Sequence, residues 1–213
     1  MTSQKQLESK CFYNINVQKT NIEEKIITSK ELWRKLNNTD ISLFQRRCKY
    51  LLKEFGTINR CNRFDVGNCI EFFLADWIKL SDLNVENEPN APRIDLNIPS
   101  YGKISVKYSS TGDIKIHNSL GPNKDIDIHT TLILTPKRIY LISDNLIKEV
   151  GIELNSYLKN TGDGLSLKRS LLTKLDKNKY FYKKDIDISI NKTECKNRIC
   201  AELVYNSIIK IIN

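Results

Sequence analysis

The sequence predicts an α/β or α+β fold in which a central mixed β-sheet is flanked by helices. Helical spacing of apolar residues dominates between residues 28 and 80, and strand-like runs dominate between residues 93 and 143. Helical and strand patterns then alternate towards residue 213. Elements in this order bury their apolar faces by packing helices against a sheet.

Two short helices are predicted first. Thr28 and Glu31 have the spacing of a capping box, which opens a helix through Leu36. A second helix is predicted from Thr39 or Asp40, because either side chain can cap it, to the first glycine of the chain.

A third helix is predicted from about Phe64 to Leu80, with apolar residues over more than half of its surface. Glu71 lies in its most apolar part. An ionised carboxylate there is unfavourable unless a cation or several hydrogen-bond donors meet it. Glu71 is therefore a candidate functional residue and Asp76 a second one; the alternative is a glutamate tolerated at the edge of the buried face.

Four strands are predicted in the middle of the chain. Residues 93–98 and 103–108 alternate between apolar and polar side chains, as strands with one buried face do. Residues 130–135 and 138–143 are continuous apolar runs, which are typical of central strands of a sheet.

The two alternating runs predict a β-hairpin with the three-residue loop Ser100–Gly102, in which glycine takes the left-handed position. This register places Asp95 opposite Lys107 and Asn97 opposite Ser105, all on one polar face. An acid and an amine in this position are candidates for chemistry; the alternative is an ordinary cross-strand ion pair at the surface.

Four further elements are predicted after residue 142. They are a helix that begins at Ser143 or Asp144 and carries Ile147, Val150, Leu154 and Leu158 on one face, a short helix of residues 166–175, a strand near residues 180–190 and a last element of residues 193–212. A threonine cap at residue 193 favours a helix for the last element without deciding it.

We expect a polar segment of residues 1–27 followed by a single domain of residues 28–213. No apolar run approaches the roughly 20 residues that cross a bilayer, and residues 1–10 hold no apolar signal core, so we expect a cytoplasmic protein without a membrane partner. The six cysteines form no C-x-x-C pair, which favours reduced buried thiols over a zinc site.

The net charge of +9 suits a partner that is a polyanion, although a chain rich in Lys, Asn and Ile can also reflect an AT-rich genome. Residues 44–63 carry six Lys or Arg against one acid, and residues 164–198 carry ten against four. Basic flanks around a neutral centre suit a protein that grips a phosphate backbone. The candidate phosphate contacts are Lys168, Arg169, Lys196 and Arg198.

A helix with Glu71, then Asp95 at the start of a hairpin, then Val106-Lys107 on its second strand resembles the PD-(D/E)XK nuclease superfamily, which includes type II restriction endonucleases. The matched region is residues 63–108, under a quarter of the chain. The resemblance implies a restriction-endonuclease-like core over about residues 63–143, within a nuclease domain that ends in a basic C-terminal part.

The same resemblance implies that Asp95, Glu71 and the Val106 carbonyl bind Mg²⁺ and that Lys107 lies beside the attacking water. The chain departs from the family pattern at Ser105, where an acidic residue is expected. Glu71 is the first candidate to replace that acid. The other candidates follow the second strand of the hairpin closely and are Asp113, Asp125 and Asp127.

The resemblance thus implies an endonuclease that cuts double-stranded DNA at a specific site, as a homodimer because two strands of a symmetric site need two active sites. Two alternatives stay open. One is a structure-selective nuclease that resembles a junction resolvase, and the other is a DNA-binding protein on the same fold that lost activity at Ser105.

Overall fold

The computed structural model of the chain describes residues 26–56, 63–87, 94–109, 114–117, 130–143, 146–147, 150–160, 165–177, 182–191 and 201–213. The predicted polar segment therefore lies almost wholly outside the described residues. No helix of the described part is long and apolar enough to cross a membrane.

Three helices precede the first strand, as predicted, and they are α1 (Ser29–Asn38), α2 (Ser42–Phe55) and α3 (Arg63–Lys79). The predicted capping box is present at α1, where the Thr28 hydroxyl accepts a hydrogen bond from the Glu31 backbone and the Glu31 carboxylate accepts one from the Thr28 backbone. α2 ends at Gly56, whose φ of 87° is one that glycine adopts without strain.

The main sheet has six strands in the order β1-β2-β3-β5-β6-β9. Its strands are β1 (Glu86–Asn87), β2 (Leu96–Ile98), β3 (Gly102–Tyr108), β5 (Thr131–Leu134), β6 (Arg138–Ile142) and β9 (Lys183–Asp185). β3 and β5 pair in parallel and all other neighbours pair antiparallel, so the sheet is mixed. This confirms the predicted fold class of a mixed sheet flanked by helices.

A second sheet has three antiparallel strands in the order β4-β8-β7. These strands are β4 (Ile114–His117), β7 (Leu158–Asn160) and β8 (Leu165–Leu167). Two helices complete the described chain, α4 (Arg169–Lys177) and α5 (Ala201–Ile211). The described part of the last predicted element is thus helical.

The side chains of the main sheet divide between two apolar clusters because successive residues of a strand point to opposite faces. Leu132 and Leu134 join the larger cluster with α1, α2 and α3, whereas Ile133 joins a smaller cluster with α4. β5 and β6 are thus covered on both faces, which explains their continuous apolar sequences.

The helix predicted from Ser143 to Leu158 is wrong from Gly151 onwards. Only residues 146–147 are described as helical, and Gly151 has a φ of 65°, which ends a right-handed helix. Leu154 begins a 3₁₀ helix and Leu158 begins β7.

The helix predicted for residues 166–175 is shifted along the chain. Ser166 and Leu167 belong to β8, and the helix runs from Arg169 to Lys177. The strand predicted near residues 180–190 is present as β9, which is shorter than expected.

Candidate active site

The β2–β3 hairpin holds the two residues on which the sequence argument depends. Its observed register pairs Asn97 with Lys103 and Ile98 with Gly102, so that Asp95 faces Ser105. The predicted pairs of Asp95 with Lys107 and of Asn97 with Ser105 are wrong by two residues. The turn lies one residue earlier than predicted, where Tyr101 N donates to the Ile98 carbonyl over 2.8 Å.

The shift of two residues leaves each side chain on its predicted face, because the side-chain period of a strand is two. Lys107 therefore approaches Asp95 diagonally, with 3.2 Å between Nζ and Oδ2. The same oxygen accepts hydrogen bonds from Ser105 Oγ over 3.1 Å and from Val106 N over 2.5 Å. None of these contacts uses Oδ1, so the carboxylate is held in one orientation with its second oxygen outside these bonds.

Glu71 on α3 lies beside this pair. Burial, together with the negative charge of Asp95, raises the pKa of Glu71 to about 8, and the positive charge of Lys107 partly opposes the rise. The sequence prediction that Glu71 lies close to the buried face is consistent with its largely buried position. The structure therefore brings Glu71, Asp95 and Lys107 into one electrostatic unit.

A buried carboxylate with a raised pKa beside a second carboxylate is a site that a cation would stabilise. Glu71 and Asp95 offer the hard oxygen atoms that Mg²⁺ prefers, and Mg²⁺ usually keeps several waters, so two carboxylates are an adequate protein contribution. Within the described ranges no group of three His, Cys, Asp or Glu residues is placed to hold a metal ion. The two carboxylates are hard oxygen donors, and their chemistry is compatible with Mg²⁺.

Ser105 occupies the position where the resemblance leads one to expect an acid. It is buried, and its hydroxyl donates to Asp95 instead of offering a further negative charge. Among the acids considered as replacements, only Glu71 belongs to the described residues. Asp113, Asp125 and Asp127 lie outside them.

Asp76, the second candidate on α3, belongs to a different group of contacts. Its carboxylate pairs with the buried guanidinium of Arg47 over 2.9 Å and accepts a hydrogen bond from Tyr205 over 2.8 Å. Arg47 also donates to the Ile212 carbonyl. Asp76 therefore ties α2 and α5 to α3.

Tyr101 is a residue of the site region that the sequence argument did not single out. Its hydroxyl lies 2.8 Å from Ser29 Oγ at the start of α1 and 2.7 Å from Thr130 Oγ1 next to β5. These contacts tie the hairpin turn to two other elements. Their partners lie 72 and 29 residues away in sequence, and no local pattern indicates contacts of that kind.

Two of the four predicted phosphate contacts belong to the described residues. Lys168 donates to the Ser156 carbonyl over 3.1 Å, and Arg169 is exposed at the start of α4. Lys196 and Arg198 lie outside the described residues.

The mixed sheet with helices against it is similar to a restriction-endonuclease-like fold. A solved structure described as "Restriction endonuclease in complex with substrate DNA" is similar to this chain, with a TM-score of 0.51 over 85% of this chain and 98% of that one. The two sequences are 16% identical, so the similarity is one of fold. No protein-family model matches the chain, and no curated protein is similar to it in sequence.

Proposed function

We propose that this protein is a Mg²⁺-dependent DNA endonuclease and that it cuts double-stranded DNA at a specific sequence, as type II restriction endonucleases do. The observation that carries the proposal is the contact of Lys107 with Asp95 on one hairpin, next to Glu71, whose pKa is raised by burial. The restriction-endonuclease-like fold and the net charge of +9 support it.

In the proposed hydrolysis of a phosphodiester bond, each residue of the site would have a separate role. Asp95 and Glu71 would hold Mg²⁺, with the Val106 carbonyl as a further ligand implied by the family resemblance. The bound ion would supply charge neutralisation at the scissile phosphate and acidify a water. Lys107 donates hydrogen bonds, and a water beside it would be oriented for attack on phosphorus. Ser105 holds Asp95 in place.

The partner in this proposal is double-stranded DNA, and the chain acts as a homodimer, because symmetric cleavage of two strands needs two sites. Lys168 and Arg169 are proposed to contact phosphates, together with Lys196 and Arg198. Counterion release makes such binding weaker at higher salt.

Incubation of a plasmid with the full chain and Mg²⁺ tests the proposal, and discrete linear fragments are the expected result. Lys107→Ala should bind DNA but cleave it roughly 10²- to 10⁴-fold more slowly. Lys103→Ala is the matched control, because Lys103 is an exposed lysine of the same strand. Cleavage that survives both Asp95→Ala and Lys107→Ala contradicts the proposal.

Ser105 gives a specific reason to test a second function, a DNA-binding protein on the same fold without activity. Calorimetry in the presence of DNA separates the two, since an inactive protein would take up no Mg²⁺. A four-way junction placed beside a linear duplex in the cleavage assay identifies a structure-selective nuclease by its preference for the junction.

A further inference from the structure

Arg138, the first residue of β6, is held between two carboxylates from different elements. Its Nε lies 2.8 Å from Asp185 on β9, and its Nη1 lies 2.6 Å from Asp176 on α4. The Tyr140 hydroxyl also donates to Asp176 over 2.8 Å. Ion pairs at a surface contribute little to stability, but a guanidinium fixed from two sides has lost its side-chain freedom before any ligand arrives.

The guanidinium lines an open groove of about 680 Å³, and Ser109 lines the same groove. Ser109 comes directly after β3, two residues beyond Lys107. Lys107 pairs with Ile133 and Ile133 pairs with Tyr140, so Arg138 lies two strands across and two residues along from Lys107. With strands about 4.8 Å apart and a rise of about 3.3 Å per residue, their Cα atoms are roughly 12 Å apart.

The charges around Arg138 decide which ligand chemistry fits. The charged residues that line the groove balance one another, so a phosphate at Arg138 would meet no surplus of positive charge; they are Lys137, Arg138, Arg169, Asp176, Asp185 and Asp187. The guanidinium N–H groups that do not face the two carboxylates suit a neutral planar edge with two adjacent acceptors. In duplex DNA that edge is guanine, through O6 and N7 in the major groove.

Arg138 directly follows the tight turn between β5 and β6, at one end of the main sheet. The turn is closed by a hydrogen bond of 3.0 Å from Arg138 N to Thr135 Oγ1. A tight turn is narrow enough for the major groove, which is about 12 Å wide. Lys137 is exposed at the tip of the turn, where a phosphate backbone would pass.

We propose that Arg138, positioned by Asp176 and Asp185, recognises a guanine in the major groove of the DNA that the protein cleaves. This proposal rests on the proposed function. A base pair rises about 3.4 Å, so the roughly 12 Å from Lys107 place this guanine within about four base pairs of the cut bond.

The test is cleavage of a randomised duplex library by the full chain with Mg²⁺, followed by sequencing of the cut ends. The wild-type ends should share a motif with a G·C pair within about four base pairs of the cut. Arg138→Lys keeps the charge but cannot form the two parallel hydrogen bonds, and should lower discrimination at that pair about 5- to 150-fold. The other pairs of the motif should be unaffected.

Arg34→Lys is the matched control, because Arg34 is an exposed arginine on α1, and it should leave the motif unchanged. An unchanged guanine preference in Arg138→Lys, or the absence of any motif, overturns the proposal while discrete cleavage still supports the nuclease. If the chain does not cleave, the same library is passed over the metal-free protein, and the duplexes that it retains are sequenced. A guanine motif that Arg138→Lys loses then supports base reading and contradicts the nuclease.

Asp185→Asn guards against a folding defect in the arginine variant. The Asp185 side chain is 81% exposed, so its replacement should leave the fold intact while it loosens one side of Arg138. Discrimination at the same base pair should fall, by less than in Arg138→Lys. If the folded Asp185→Asn protein and the Arg138→Lys protein both keep full discrimination at this base pair, the assignment is overturned.

Discussion

Binding of Mg²⁺ should release a proton from Glu71. The pKa of Glu71 is raised to about 8 by burial and by Asp95. At pH 7 the carboxyl is therefore protonated in about 90% of the metal-free molecules. A metal ligand must be deprotonated, and binding at pH 7 should therefore release about 0.9 proton per Mg²⁺. The apparent affinity should rise about tenfold per pH unit from pH 6 to pH 8 and level off above pH 8.

Calorimetry in two buffers with different ionisation enthalpies measures this release directly. Glu71→Gln should abolish it, whereas Glu202→Gln, at an exposed acid of α5, should leave it unchanged. Mg²⁺ binding without proton release, or release that persists in Glu71→Gln, would refute Glu71 as a ligand with a raised pKa.

The same group makes the stability of the metal-free protein depend on pH. The folded pKa of about 8 exceeds the unfolded value of 4.5, so the folded state binds the additional proton between these two values. The stabilisation is complete below pH 4.5 and is lost as pH rises through 8, with a slope of at most about 1.4 kcal/mol per pH unit. Urea unfolding in EDTA should show this slope, and Glu71→Gln should flatten it.

Three further substitutions test the contacts around the site and the core. Ser105→Ala removes a hydrogen bond to the Asp95 carboxylate and should cost about 1.5–3 kcal/mol in urea unfolding; an unchanged midpoint would contradict the contact. Arg47→Ala leaves Asp76 without its cation and should cost about 3–5 kcal/mol, measured in the same way, with a smaller loss if Asp76→Asn is added. Tyr101→Phe removes two hydroxyl contacts and should lower kcat more than DNA affinity, since the hairpin turn loses its link to α1 and β5; equal losses would indicate a binding role.

The hairpin shows how far sequence patterns reach in this chain. Alternation identified the buried face of both strands correctly, because burial enforces parity. Parity alone permits the predicted register as well as the observed one, which differs from it by two residues. The choice depends on the turn, and Tyr101 fixes the turn through partners that are distant in sequence. Residue periodicity holds no information on such partners.

In the segment after β6, the sequence did contain a signal for the end of the helix, but the helical spacing of apolar residues was given more weight. Apolar residues at helical spacing predicted a helix through Leu158, yet the glycine at 151 stands within that span. Its φ of 65° ends the right-handed helix, and a strand begins at Leu158. A glycine inside a helical pattern marks a possible helix end, and here tertiary pairing with β8 decides the outcome.

The sequence indicated that Glu71, Asp95 and Lys107 belong to one site, but it did not indicate how they contact one another. An acid in the apolar stretch of α3 and an acid and amine on one hairpin face are visible in the sequence. That all three contacts to Asp95 use one oxygen is a property of the folded hairpin. The metal ligands of this site stay a prediction, and the calorimetric experiment above addresses them.

Successive side chains of β3 point alternately to the apolar core and to the polar face of the hairpin. Ile104 and Val106 pack into the larger apolar cluster, whereas Ser105 and Lys107 point to the other face. A substitution at Ser105 therefore leaves the apolar packing of Ile104 and Val106 in place, although it removes the hydrogen bond to Asp95. A chain built in this way can keep a restriction-endonuclease-like framework while its sequence is only 16% identical to that of a protein with the same architecture. Substitutions at the polar positions of β3 thus test the proposed metal site while the apolar packing of the strand is kept.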